Sequence, residues 1–231
     1  MAKSPSTSNK SSCLRPLVRN AALVALCALT ACSSGTIGGG DLGQLYQMTR
    51  AMWGSAGQDV TLAEAASVPY ASMGVRIGDG AQAMIILAGD TGGERLWTSA
   101  SHITLVTRDG RIVSTSGLSH NLSGYQIVRS INTVDGIRTI VWLADFADLG
   151  LYSVTIFCQD RDAGPATITV LGTAIRTQRV NESCASRDGS LAWSFHNTYW
   201  IDPKSGLAWR TIQHVHPNLD PIETEMLRPP S

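Results

Sequence analysis

Four Asp-Gly dipeptides punctuate the chain after Pro69: Asp79-Gly80, Asp109-Gly110, Asp135-Gly136 and Asp188-Gly189. This pair takes up the φ > 0 conformation that two-residue hairpin turns require. The flanking runs alternate in polarity. Ile103–Thr107 precedes Asp109-Gly110 and Ile112–Thr115 follows it, which makes this the clearest hairpin. Tyr152, Val154, Ile156 and Cys158 share one parity, and so do Ile168 and Val170. Trp193, Phe195, Tyr199 and Ile201 form another set, resumed by Leu207 and Trp209 after the turn Pro203–Gly206. Many short alternating runs joined by turns predict an all-β antiparallel domain, a sandwich or a partly open barrel. One N-terminal amphipathic helix is expected from the N-cap Asp41 to Gly54, with a short helical turn at Leu62–Ala66. The tail from Pro217 reads as irregular.

The segment ahead of the β region reports location. Leu29-Thr30-Ala31-Cys32 ends a short apolar run that starts at about Ala21, with Lys3, Lys10, Arg15 and Arg19 before it. The run is far too short for a ~30 Å bilayer core. Small residues before a cysteine are what a lipoprotein-processing peptidase needs, so residues 1–31 read as a lipoprotein signal peptide. Cys32 becomes the lipidated N-terminus, carrying acyl chains such as palmitate, and residues 32–40 form a Ser/Gly-rich tether. Residues 41–231 make a single β domain. Ser33 follows the cysteine where an Asp would suggest inner-membrane retention. The outer membrane is therefore expected, with the protein lipid-anchored on its periplasmic face.

Four of the 18 basic residues precede Cys32 and all 18 acidic ones follow it, so the mature chain carries a net −4. A nucleic-acid partner is excluded on that balance. Cys13 and Cys27 leave with the signal. Cys158 and Cys184 remain as an even pair in an oxidising compartment, where a disulfide is expected and two buried free thiols are the alternative.

Chemistry-bearing motifs are thin. Gly89-Asp90-Thr91-Gly92-Gly93 resembles a serine-protease nucleophile loop. It holds Thr at the nucleophile position, and His102 follows it in the chain where those proteases place histidine first, so it reads as a turn. His214-Val215-His216 puts two imidazoles on one face of a strand without a third ligand at a metal-site spacing. Asp160-Arg161-Asp162 and Glu223-Thr224-Glu225 read as solvated charges. No catalytic residue, metal or cofactor is assigned. Tyr199, Trp200 and Trp209 stand out as candidate glycan contacts, because sugar C–H faces stack on aromatic rings.

Three ordered segments carry a resemblance. They are Tyr70–Asp79 with Ala83–Ala88; Leu105–Val113 with Gly117-Leu118 and Asn121-Leu122; and Asn197–Asp202 with Gly206–Arg210, Gln213 and Pro217. Together with the cysteine signature they resemble the YjbF/GfcB family of bacterial lipoproteins, linked to exopolysaccharide and group 4 capsule production. The resemblance implies an antiparallel β fold with a flanking helix. It also implies a non-enzymatic accessory role, with partners among polysaccharide export or assembly proteins, or the polysaccharide itself. Two other readings compete. One is a lipid- or lipoprotein-binding carrier, since Trp200–Pro203 with Gly206-Leu207 is also similar to lipoprotein-carrier half-barrels. The other is a polysaccharide-modifying enzyme, which needs converging acid and base groups.

Overall fold

The computed structural model describes residues 58–132, 137–187 and 189–230. The segments expected as signal peptide and tether, Cys32, and the helix expected from Asp41 lie outside the described residues, as do Asp135-Gly136 and Asp188.

The first described element is a short helix, α1 (Leu62–Ser67). Thr61 caps it. Its hydroxyl accepts from Glu64 N at 3.2 Å, and Thr61 N donates back to the Glu64 carboxylate at 2.7 Å, forming a capping box. Val68-Pro69 ends it, because a residue before proline is forced out of the helical region.

Twelve strands follow: β1 (Ser72–Ile77), β2 (Ala83–Thr91), β3 (Glu94–Thr98), β4 (Thr104–Arg108), β5 (Arg111–Ser116), β6 (Gly124–Asn132), β7 (Arg138–Phe146), β8 (Leu151–Val170), β9 (Thr173–Ser186), β10 (Ser194–Ile201), β11 (Ala208–Gln213) and β12 (Ile222–Arg228). They form one sheet in the order β5-β4-β3-β2-β1-β12-β11-β10-β9-β8-β7-β6. Each pair is antiparallel, and β12 inserts between β1 and β11. The edge strands β5 and β6 are consecutive in the chain. They lie side by side, and Thr115 N of β5 donates to Leu122 O, just ahead of β6, at 2.9 Å. The sheet is thus rolled into a nearly closed barrel, which leaves little free edge. Of the two expected architectures, this is the barrel.

Turn chemistry explains the hairpins. Asp109 and Gly110 take φ of 51° and 79°, and Gly92-Gly93 supplies the same positive pair between β2 and β3. The glycine-rich loop that resembles a protease motif is therefore a hairpin. Three sequence expectations are corrected. The region after Pro217 is not irregular: Ile222, Thr224 and Met226 alternate inward along β12, which pairs on both sides. Tyr152 does not share the inward parity of Val154, Ile156 and Cys158. Ser153 sits at φ 55° with its N–H on the Asp145 carboxylate at 2.7 Å, a local kink that leaves Tyr152 65% exposed. The runs around Cys158 and Ile168 belong to one 20-residue strand, β8, whose register shifts between Asp162 and Pro165.

The main core lies inside the barrel, around Trp97, Leu105, Trp142, Phe146, Ile156 and Ile222. A second apolar cluster lies on the outer face, where Ala65 and Val68 of the α1 region cover Met84, Ile86 and Leu227. Leu171, at the tip of the β8–β9 hairpin, packs on the same cluster.

Candidate functional site

Inward-facing positions of β8 to β11 are not all apolar. Glu182, Asn197, Thr211 and Gln213 are each buried. A buried carboxylate is costly unless it is paired and hydrogen-bonded, and Glu182 is both. Arg111 grips it with two hydrogen bonds, the Nη1 donation at 2.9 Å. Asn197 Nδ2 adds a third at 2.7 Å. The Tyr199 hydroxyl lies 3.3 Å from Glu182 and 3.4 Å from Gln213 Oε1. The Arg111 guanidinium also sits 5.3 Å over the Tyr199 ring and 5.9 Å over Tyr125. Burial pushes the Glu182 carboxyl up, but the Arg111 charge and these hydrogen bonds outweigh it and hold it low. Burial drives both tyrosines upward, Tyr125 to about 12.

Asp160 is the cross-strand neighbour of Glu182 and is 6% exposed. It is not a solvated turn charge, as the sequence suggested, but a mid-strand group inside the barrel. Burial first, and then the Glu182 charge, push its carboxyl up, while Arg138 holds one oxygen. The two neighbouring acids are thus shifted in opposite directions, Asp160 up and Glu182 down. Glu225 was misjudged in the same way. It is largely buried on the outer face and paired with Arg210.

Gln213 completes a partition across the barrel. Its amide donates to Gly110 O at 2.8 Å and accepts from Ile112 N at 3.0 Å, satisfying the edge backbone of β5. Gly110 is required here: besides its positive φ, a Cβ would stand 2.4 Å from the Ala208 Cβ. Cys158 and Cys184 form a disulfide directly across the β8–β9 ladder, two residues along from Asp160 and Glu182. Trp142 Nε1 lies 3.1 Å from the Cys158 sulfur.

On one side of the partition the barrel has a mouth, a cavity of about 450 Å³. Trp97, Thr107, Thr211, Trp209 and Met226 line it, and the Asp109-Gly110 turn and the Asp202–Leu207 turn rim it. Trp97, itself 1% exposed, donates Nε1 to Thr107 at 2.9 Å. The Asp202 turn is prebuilt: its carboxylate accepts from Lys204 N at 2.8 Å and from the Ser205 hydroxyl at 2.9 Å. These bonds hold its carboxyl below the usual range. Trp209 Nε1 is buried without a hydrogen-bond partner.

The opposite end is different. Ile77 and Ile222, paired at the far ends of β1 and β12, line an apolar cavity of about 170 Å³ with Ile85, Leu105 and Leu118. Just beyond that end of β5 and β11, His120, Asp148 and His216 converge. The Asp148 carboxylate bridges His120 Nδ1 at 2.8 Å and His216 Nε2 at 3.1 Å. Asn218 N donates to His216 Nδ1 at 3.1 Å, which places the His216 proton on Nε2 and aims it at Asp148. That nitrogen would need a free lone pair to bind a metal, so the trio is built as a hydrogen-bonded bridge. His214 is not part of it; its Nδ1 lies on His196 O at 2.8 Å.

The three candidate glycan contacts therefore separate. Trp209 lines the mouth, Tyr199 lies in the partition, and Trp200 falls on the opposite face of β10 from Tyr199. Trp97, Asp109 and Asp202, which the sequence reading did not single out as contacts, join Trp209. Their signal was positional: the two aspartates occupy turns at the same barrel end as Trp209.

A single rolled antiparallel sheet with an internal polar partition defines a small-barrel domain. The crystal structure of the hypothetical lipoprotein YmcC from Escherichia coli (K12) has this fold, at a TM-score of 0.62 and 20% identity, covering 82% of this chain and 95% of that one. The chain belongs to the family described as Group 4 capsule polysaccharide lipoprotein gfcB, YjbF, which matches residues 46–227. It is 28% identical over 185 residues to the uncharacterized lipoprotein GfcB of Escherichia coli (strain K12), covering 74% of this chain and 83% of that protein. It is also 28% identical over 221 residues to the uncharacterized lipoprotein YjbF of the same strain, covering 91% and 98%.

Proposed function

We propose that this protein is a lipid-anchored accessory factor of capsule or exopolysaccharide production, working on the periplasmic face of the outer membrane by binding and positioning rather than by catalysis. The observation that carries the reading is the extent of the family match. Residues 46–227 take in all of the described barrel but the last residue of β12, and the lipidation signature at Cys32 stands ahead of it. The acid and base groups that converge are engaged with one another: Glu182 with Arg111, Asp160 with Arg138, and Asp148 with two histidines. That arrangement suits a rigid scaffold. The apolar cavity is the feature that favours an acyl carrier, and its 170 Å³ falls below the size at which ligand pockets usually begin, about 300 Å³.

The test is a chromosomal deletion with complementation, in a strain and condition where the polysaccharide is made. Deletion should change the amount or chain length of secreted polysaccharide, and the Cys32→Ala variant should leave the outer-membrane fraction and fail to complement. Secreted polysaccharide unchanged in both respects would overturn the role.

A further inference from the structure

We propose that the barrel mouth is a sugar-binding site, in which the Trp209 ring packs on the C–H face of a pyranose and the Asp109 and Asp202 turns take its hydroxyls. The substrate class is a segment of polysaccharide, and this rests on the accessory reading above.

Four observations carry it. The mouth, at about 450 Å³, lies within the range of small-molecule sites, and the two other cavities inside the barrel, of about 150 and 170 Å³, do not. Cavities of about 400 and 420 Å³ also occur, but neither has a tryptophan in its wall. The mouth sets the half-buried Trp209 ring beside short polar side chains, the pairing a sugar needs: an apolar ring for its C–H face and fixed polar groups for its hydroxyls. The polar groups are preorganised, so little ordering entropy is lost on binding. Asp202 is held in its turn by two hydrogen bonds. Last, Trp209 Nε1 is a buried donor that the protein does not satisfy. Such a group costs about 1–3 kcal/mol when left unpaired, and a small shift of the ring on binding would offer it a sugar oxygen. The volume suits roughly one or two sugar rings, so the site would hold a chain end or a short exposed stretch.

The experiment is a tryptophan-fluorescence and calorimetric titration of the full mature lipoprotein in detergent. The probes are oligosaccharides cut from the strain's own extracellular polysaccharide, with maltoheptaose as the neutral comparison. Trp209→Ala should lower affinity at least tenfold, and Trp209→Phe should retain most of it. Asp109→Asn keeps a turn-compatible residue at positive φ and should lower affinity severalfold. Tyr152→Ala, which removes an exposed aromatic ring outside the mouth, should bind as wild type does. Near-UV circular dichroism shows whether each variant keeps the packed barrel, and Asp109→Asn decides the matter if Trp209→Ala does not fold. No binding of either probe by the wild type, or binding that folded Trp209→Ala and Asp109→Asn both leave unaltered, overturns the site. A deletion strain that loses polysaccharide while the protein binds no sugar removes the site and leaves the accessory role. Binding by a protein whose deletion changes nothing does the reverse.

Discussion

The two ends of the barrel are built from the same strands and differ in chemistry. At one end β1 and β12 contribute Met73, Thr224 and Met226, and the cavity is wide and mixed in polarity. At the other they contribute Val75, Ile77 and Ile222, and the cavity is narrow and apolar. Between them stands the Arg111–Glu182–Gln213 partition. The comparison teaches that the apolar end is a core slightly under-filled, whereas the mouth is shaped, with its Asp202 turn pinned and the half-buried Trp209 ring lining a ligand-sized space. A buried ion pair is a poor source of net stability. Its value here is geometric: it ties the β4–β5 turn to β9 and so fixes one rim of the mouth.

The strongest way to break the comparison is to remove the partition. Arg111→Ala leaves the Glu182 carboxylate buried and uncompensated, and should cost about 3–5 kcal/mol of stability in a urea titration. Asp160→Asn, which keeps the side chain's shape and can still accept from Arg138, should cost far less. Equal losses in the two would mean that the charge on Glu182 is not what the partition neutralises. Reducing the Cys158–Cys184 disulfide loosens the same ladder and removes a cross-link over a separation of 26 residues. In the chain-entropy model this costs roughly 3–4 kcal/mol, measurable as a lower urea midpoint in the Cys158→Ala/Cys184→Ala variant. A smaller probe separates the ends. Ile222→Val enlarges the apolar cavity and should cost about 0.5–1.5 kcal/mol, while sugar binding at the mouth should not change. A loss of binding in Ile222→Val would show that the partition does not isolate the two ends.

Much of this architecture was legible in the chain. Asp109-Gly110 marked its hairpin because only a few residue pairs tolerate two successive positive φ values. The alternation set Phe195, Tyr199 and Trp209 on one parity, and that parity faces the core. What stayed hidden was polarity on the inward parity. Glu182, Asn197 and Gln213 each sit on that face, yet a lone charged or amide residue in a strand reads as solvent-facing until its partners are known. Arg111 is 71 residues from Glu182, and no local pattern links them. Asp160 and Asp162 look equivalent in the sequence. The first is buried beside Glu182, and the second, just before the register shift, accepts from Gly164 N at 2.8 Å on the surface. The mouth was half legible: Trp209 stood out as a ring, but Asp109 and Asp202 looked like turn residues, which they also are.

The smallest expected effect distinguishes the ends by pH. His216 lies beyond the apolar end, buried, and its pKa is pushed down from 6.5 by that burial, with Asp148 opposing in part. The unfolded chain therefore takes up this proton at a higher pH than the folded one. Below about pH 6.5 the unfolded state binds more protons, so stability falls as the solution is acidified, until His216 itself charges in the fold. Asp148 is held below its ordinary 3.8, chiefly by the His120 hydrogen bond and against a little burial. Its contribution is complete above that value and is lost as pH falls through its lower folded pKa, so it acts in the same direction in a more acid window. The melting temperature should therefore decline from pH 7 to pH 5, and His216→Gln should flatten the decline. Trp209→Ala, at the mouth, should keep the full wild-type slope. If His216→Gln retains that slope, the acid sensitivity belongs elsewhere, and Asp160, whose raised pKa favours the fold at low pH rather than high, cannot supply it, because its sign is opposite.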